Sequence, residues 1–322
     1  MTNTIFDIKN YQEFEKQCMQ IFEFQMDNNP IYSTYAEIIL KGRTPRNIKE
    51  MPFLPIEFFK SEQIICQGHK IEEIFLSSGT TGDQSKHLVS DLSIYESSFR
   101  KAFQLFYGDI TEYCVLSLLP NYREREGSSL IYMVDDLIKS SQHPKSGFYL
   151  NDYERLSETI LKLEEDGQKT ILFGVSYALL DLANKFPQQL KNTIIMETGG
   201  TKGKRKELLK EELHKILKSA FNLRNIHSEY GMTELLSQSY SKGDNVFKSP
   251  PWKKILIRDV NDPLTIIGDD KTGGINIIDF ANIYSCPFIA TQDLGKIYGD
   301  GTFSVLGRFD NSDVRGCNLL VQ

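Results

Sequence analysis

Residues 74–86, with the sequence IFLSSGTTGDQSK, decide the fold. An apolar strand leads into a turn whose glycines let the backbone approach an anion closely, and Lys86 adds positive charge at its end. The composition predicts a phosphate-holding loop, and a flexible surface turn is the alternative. The residues predicted to face phosphate are Ser77, Ser78, Gly79, Thr80, Thr81 and Gly82.

The pattern on the carboxyl side of this loop is that of an α/β fold. Residues 90–108 predict an amphipathic helix capped by Ser90 or Asp91. Apolar strands and helices then alternate to about residue 245, which predicts parallel strands with helical crossovers. Short strands separated by Gly, Asp and Asn follow. We therefore expect an α/β core with a helical N-terminal segment over residues 1–245, and a β-rich subdomain with a short tail over 246–322.

Composition excludes several classes of function. The net charge is -6 and the isoelectric point is near 5.5, so a basic face for nucleic acid is not expected. No apolar run approaches the roughly 20 residues that cross a bilayer, and the start does not resemble a signal peptide. Five cysteines without CxxC pairs predict reduced thiols and no structural zinc. We expect a cytoplasmic protein that binds neither membrane nor nucleic acid.

A second motif, EYGMTE at residues 229–234, follows a predicted strand. The Thr233 hydroxyl is suited to a phosphate oxygen, and the Glu234 carboxylate to magnesium, which prefers oxygen ligands shared with substrate phosphates. An ordinary polar cap between strand and helix is the alternative.

Two later turns each carry one charged side chain that could serve a nucleotide. Asp293, in TQDLG, can accept hydrogen bonds from ribose hydroxyls, and Arg308, in LGRFD, can donate to the same sugar or to a phosphate. Taken alone, each turn is equally typical of an exposed β-turn with no functional role.

In this order the motifs resemble the adenylate-forming enzyme superfamily, which includes acyl-coenzyme A synthetases, phenylacetate-coenzyme A ligases and firefly-type luciferases. The resemblance spans residues 75–310 and implies ATP and Mg²⁺ as cofactors and a small carboxylic acid as substrate. It also implies a large N-terminal adenylation domain. Beyond the phosphate loop, the residues that it places at the nucleotide are Gly199 and Gly200 at adenine, Tyr230, Gly231 and Thr233 at the adenylate, Glu234 at magnesium, Asp293 at ribose, and Arg308.

Within that superfamily the chain is most similar to the acyl-protein synthetases of bacterial bioluminescence fatty-acid reductase complexes. The similarity lies in LPIEFFKSEQI, SSGTTGDQSKH and GRFDNSDVRGCNLLVQ. It implies that a fatty acid is activated as its adenylate and then held as a thioester on Cys317. Nearby Arg315 suits that role, because a neighbouring cation lowers a thiol pKa. An acyl-carrier protein or a reductase subunit is a partner that fits this resemblance.

Members of the superfamily carry a C-terminal domain, with a lysine for adenylation, after the position of Asp310, and we expect that domain to be essentially absent here. That lysine is dispensable, supplied by a partner, or replaced by a residue such as Lys86. Two other functions remain open: ligation to coenzyme A or a carrier protein, and a non-catalytic acyl- or nucleotide-binding subunit.

His87 and His214 are expected to be solvated.

Overall fold

A computed structural model describes residues 4–78, 84–119, 126–150, 152–199 and 209–309. The helices in these ranges are α1 Tyr11–Asn28, α2 Pro30–Leu40, α3 Phe58–Ser61, α4 Leu92–Tyr107, α5 Ser129–Ser141, α6 Tyr153–Glu165, α7 Ser176–Lys185 and α8 Lys210–Phe221. The strands are β1 Leu54–Pro55, β2 Glu73–Leu76, β3 Lys86–Val89, β4 Cys114–Leu118, β5 Gly147–Phe148, β6 Thr170–Gly174, β7 Thr193–Glu197, β8 His227–Tyr230, β9 Ser239–Ser241, β10 Val246–Lys248, β11 Lys253–Arg258, β12 Ile266–Ile267, β13 Thr272–Asp279, β14 Phe288–Ile297 and β15 Phe303–Arg308.

Among the described residues, 13 strands form one mixed sheet. Their order is β12-β11-β13-β14-β15-β10-β9-β8-β7-β6-β4-β5, with β1 beside β14. Strands β5, β4, β6, β7 and β8 are parallel, and β8 through β15 continue as antiparallel neighbours. The predicted α/β class is therefore confirmed. The division of the chain at residue 245 stays a prediction.

The parallel strands are buried because helices cover the sheet. All five residues of β4 and of β6 are buried, as expected of strands in an α/β core. Helix α4 packs through positions three and four residues apart, such as Tyr95, Phe99 and Phe103. Its N-cap is Asp91, one of the two candidates from the sequence, whose side chain accepts from the Ser93 amide at 3.0 Å.

The phosphate-loop region differs from the predicted order of strand, turn and helix. An additional strand, β3, follows the loop and pairs antiparallel with β2, so that Leu76 lies opposite Lys86. The loop therefore closes a hairpin before α4 begins. Within the described ranges, none of the helices has the length and hydropathy needed to cross a membrane.

Candidate active site

Three of the predicted site residues are joined directly by hydrogen bonds. The Tyr230 hydroxyl, at the end of β8, donates to Asp293 Oδ2 at 2.8 Å. Arg308 Nε donates to the other carboxylate oxygen, Oδ1, at 3.1 Å. The Asp293 side chain is 8% exposed, whereas that of Arg308 is 55% exposed. The cluster therefore presents a buried carboxylate with a cation at its solvent edge.

Strand pairing explains why these residues meet. Asp293 lies directly opposite Arg308 in the β14–β15 ladder, and the register shifts one residue later, between Leu294 and Gly295. Irregularities of this kind re-aim side chains beside functional sites. The Tyr230 ring packs against Phe247 and Phe303, with ring centroids 5.8 and 5.6 Å away. Packing and pairing thus fix all three side chains.

The described ends of the phosphate loop are pinned by Ser77. Its amide donates to the Ser85 carbonyl at 3.1 Å, and its hydroxyl accepts from the Ser85 amide at 3.0 Å. Ser78 and Lys86 are exposed, which leaves both available to a ligand. The remaining predicted loop residues, Gly79, Thr80, Thr81 and Gly82, lie outside the described residues.

The end of β7 is organised around Glu197, which the sequence did not single out. Its Oε1 accepts from the Ser176 hydroxyl and from the Gly199 amide, both at 2.8 Å, and Lys210 Nζ lies 3.4 Å from Oε2. Burial opposes ionisation, but Lys210 and Ser176 outweigh that cost and lower the pKa of Glu197. Glu197 thereby holds Gly199 at a φ of +64°, a conformation that favours glycine.

Gly199, one of the two predicted adenine residues, lies at the carboxyl edge of the parallel strands. Strands β7 and β8 are parallel neighbours, so Gly199 and Tyr230 follow the carboxyl ends of adjacent strands. Ligands of open α/β sheets bind in the crevice outside those ends. Gly200 lies outside the described residues.

Gly231 lies close against the Glu229 side chain, which would have to shift to admit any larger residue. A Cβ at this position would lie 2.3 Å from Oε1 of the Glu229 carboxyl group, far closer than any real contact. Burial raises the pKa of Glu229 to about 7, an effect that Glu197 reinforces and Lys253 opposes. A buried acid thus lies against the backbone of the motif, a feature that sequence spacing did not predict.

The motif segment after Gly231 leaves the sheet with Thr233 half-buried and Glu234 only 6% exposed. The Thr233 carbonyl accepts from His87 Nδ1 at 2.9 Å, and His87 Nε2 lies 2.7 Å from the Ser285 hydroxyl. His87 and His214 are buried, so the expectation that they are solvated is wrong. Burial lowers the pKa of His87 to about 4, which keeps the imidazole neutral.

Magnesium fits the residues available. In the part of the chain that the structure describes, no group of three or more His, Cys, Asp or Glu could hold a metal ion. Mg²⁺ bound through substrate phosphates needs only one or two protein carboxylates, which Glu234 can supply. Glu234 therefore remains the predicted magnesium ligand.

The described cysteines are Cys18, Cys66, Cys114 and Cys286, and all four are buried. Burial raises the pKa of Cys66 and of Cys114 to about 11, and raises those of the other two further. None of these four thiols is poised as a nucleophile at neutral pH. Cys317 lies outside the described residues.

Comparison with protein families gives a match to the acyl-protein synthetase family LuxE over residues 149–322. Sequence comparison with curated proteins gives no match.

Solved structures of related fold include ATP-bound MatB from Rhodopseudomonas palustris, with a TM-score of 0.54 and 17% identity over 73% of this chain and 47% of that one. A luciferase-like enzyme from the mealworm Zophobas morio gives a TM-score of 0.52 and 16% identity over 75% of this chain and 58% of its own. A 2-hydroxyisobutyryl-CoA ligase, solved in an open conformation with 2-HIB-AMP and CoA, gives 0.66 and 11% over 93% of this chain and 75% of its own. These likenesses show the fold, and the chain spans about half the length of MatB.

Proposed function

Because the chain belongs to the acyl-protein synthetase family LuxE, we propose that it activates a carboxylic acid with ATP and transfers the acyl group to a thiol. The observation that carries this proposal is the Tyr230–Asp293–Arg308 cluster at the predicted nucleotide edge. A buried carboxylate held by two donors is a strong acceptor for vicinal hydroxyls such as those of ribose.

In the first half-reaction, a carboxylate oxygen of the acid attacks the α-phosphorus of ATP. The new bond gives the acyl-adenylate, and pyrophosphate leaves with the electrons of the broken P–O bond. Asp293 holds the ribose, Gly199 and Gly200 line the adenine, and Ser78 with the rest of its loop contacts the phosphates. Magnesium bound at Glu234 would neutralise phosphate charge.

In the second half-reaction, a thiolate attacks the acyl carbon and AMP leaves. The four described cysteines are buried and have raised pKa values, so they are poor candidates for this nucleophile. Cys317 is the fifth cysteine of the chain and follows Arg315 and Gly316. We therefore propose Cys317 as the acyl acceptor and a fatty acid as the substrate.

Coenzyme A or a carrier-protein phosphopantetheine is the second candidate acceptor. It is favoured by the fold match over 93% of the chain to a ligase solved with CoA. A third possibility is a subunit that binds nucleotide or acid without turnover.

Two measurements separate these functions. The chain is incubated with ATP, Mg²⁺ and a panel of acids, and acid-dependent pyrophosphate release is recorded. A labelled acid that releases pyrophosphate should then attach to the protein in a form that neutral hydroxylamine removes. Cys317→Ser should lose the label and keep first-turnover pyrophosphate release. Label surviving in Cys317→Ser, or absent from the wild type despite adenylation, would move the acceptor to coenzyme A or a carrier.

A further inference from the structure

Between β8 and β9 the chain forms neither helix nor strand, yet most of it is buried. Residues 234–238 of this segment are buried, and they follow the half-buried Thr233. A buried backbone without regular structure must find hydrogen-bond partners elsewhere, because an unpaired N–H or C=O group is costly. The partners of this segment therefore show what holds the motif in place.

Two side chains from distant parts of the sequence hold its first half. Asn282 Nδ2 donates to the Glu234 carbonyl at 2.7 Å, and Asn282 Oδ1 accepts from the Leu236 amide at 3.0 Å. His87 Nδ1 must carry the proton, because the Thr233 carbonyl that it meets can only accept. Backbone groups on Thr233, Glu234 and Leu236 are thus fixed by side chains that lie outside the motif.

Two buried ionisable side chains, Asp279 and Lys253, hold the second half, and both contact Ser237. Asp279 accepts from the Ser237 amide at 2.9 Å and from its hydroxyl at 2.6 Å. Lys253 Nζ donates to the Ser237 carbonyl at 2.8 Å and lies 5.3 Å from the centroid of the Tyr230 ring. Lys253 is 3% exposed and Asp279 is 0% exposed.

Burying this network costs free energy, which indicates that it has a role beyond stability. Burying two charges seldom gives net stability, whereas removing one partner leaves an uncompensated buried group. The same four side chains make hydrogen bonds to five backbone groups within residues 233–237. An apolar side chain at any of these four positions would leave a backbone group of this segment without its partner.

We propose that four positioning residues hold the segment of Thr233 and Glu234 ready for magnesium-ATP, namely His87, Lys253, Asp279 and Asn282. This proposal rests on the proposed function. They touch the motif backbone and act through it. Asn282 is the best residue to change because both ends of its amide bond this segment, although Nδ2 also donates to the Cys286 carbonyl at 3.2 Å. Partners of this kind typically contribute about 10- to 100-fold to metal affinity or activity.

The test compares Asn282→Leu, which removes the hydrogen bonds and keeps a similar shape, with Thr193→Val. Thr193 is also buried, but its hydroxyl bonds Glu164 at 2.6 Å near the start of β7, away from the motif. Amide hydrogen exchange of the peptide covering residues 231–238 is measured first, because it needs no catalysis. Wild-type Leu236 and Ser237 amides should exchange slowly, and Asn282→Leu should accelerate that peptide at least about tenfold while Thr193→Val leaves it unchanged.

The functional readout separates positioning from stability. Asn282→Leu should lower the adenylation kcat by about 10- to 100-fold and raise the KM for magnesium-ATP, with the KM for the acid within threefold, because the displaced segment serves the nucleotide and the metal. His87→Phe, which removes the bond to the Thr233 carbonyl and keeps a ring, should give the same split if Asn282→Leu does not fold. A kcat equal to that of Thr193→Val, or rapid exchange in the wild type, would overturn the proposal.

Failure of the proposed function would look different. If the wild type releases no pyrophosphate with any acid, the affinity for ATP is measured with and without Mg²⁺ in place of kcat. Asn282→Leu should then lose the magnesium-dependent gain in affinity, and equal gains in variant and wild type would overturn the positioning role.

Discussion

The Asp293 carboxylate offers the sharpest test of the nucleotide site, through Asp293→Asn. The two side chains have nearly the same shape, and the amide can still accept from Arg308 through its oxygen. Its NH₂ group can donate to the Tyr230 hydroxyl, which is able to accept. The fold should therefore survive, and any loss of ATP affinity should come from removing the negative charge.

The magnitude follows from the bonds that Asp293 makes. Hydrogen bonds to charged groups contribute about 1.5 to 3 kcal/mol and neutral ones about 0.5 to 1.5 kcal/mol, so neutralisation costs roughly 1 kcal/mol for each ribose hydroxyl. Two hydroxyls give about 2 kcal/mol, or roughly a 30-fold rise in the Kd for ATP. Asp293→Ala should likewise weaken nucleotide binding, by about 1 to 3 kcal/mol.

Calorimetric titration with ATP measures this Kd directly. Asp300→Asn is the matched control, because Asp300 makes the same kind of carboxylate bonds, to Thr302, in the exposed turn that joins β14 to β15. A double-mutant cycle of Asp293→Asn with Tyr230→Phe should show a coupling energy in ATP binding of about 0.5 to 3 kcal/mol, since Tyr230 acts through Asp293. An Asp293→Asn protein that binds ATP within twofold of wild type would refute a ribose role for this cluster.

Three further predictions follow from other residues of the site. Glu234→Gln should fold normally and lose most adenylation if Glu234 assists magnesium, and unchanged pyrophosphate release would remove it from the metal site. Lys86→Met should slow adenylation by roughly 100-fold if Lys86 supplies phosphate charge; exposed Lys70→Met is its control, and equal rates would assign that charge elsewhere. His87 is neutral in the folded protein, so its contribution to the free energy of unfolding is fully present above pH 6.5 and is lost as the pH falls towards 4. Across that window His87→Phe should flatten the decline in unfolding free energy by up to about 1.4 kcal/mol per pH unit in urea titrations, and an unchanged slope would contradict the assigned pKa.

The sequence predicted the parts of the fold that depend on local patterns. The parallel strands β4, β6 and β7 are short apolar runs followed by helices, and the Asp91 cap directly precedes its helix. The residues proposed for the nucleotide, Tyr230, Asp293 and Arg308, could be named from the sequence because each occupies a motif. Their mutual hydrogen bonds were not, because these depend on the β14–β15 register.

The missed residues depend on contacts far apart in sequence. His87 meets residues 146 and 198 positions away, and no pattern around KHLV distinguishes that environment from a solvated strand. Lys253 likewise appeared as one charge among several in WKKILIRDV. Its burial follows from its place opposite Asp279 in the β11–β13 ladder. Such pairs are fixed by tertiary packing rather than by local periodicity.

The central claim, ATP-dependent activation of an acid, is tested most directly by isotope exchange between pyrophosphate and ATP. The chain is supplied with Mg²⁺, ATP, labelled pyrophosphate and a carboxylic acid, with no thiol acceptor added. Label should enter ATP only when the acid is present, and Asp293→Asn should slow the exchange while Asp300→Asn does not. A protein that is stabilised by ATP or by the acid, yet exchanges no label with any acid in the panel, would contradict the account and indicate a binding subunit.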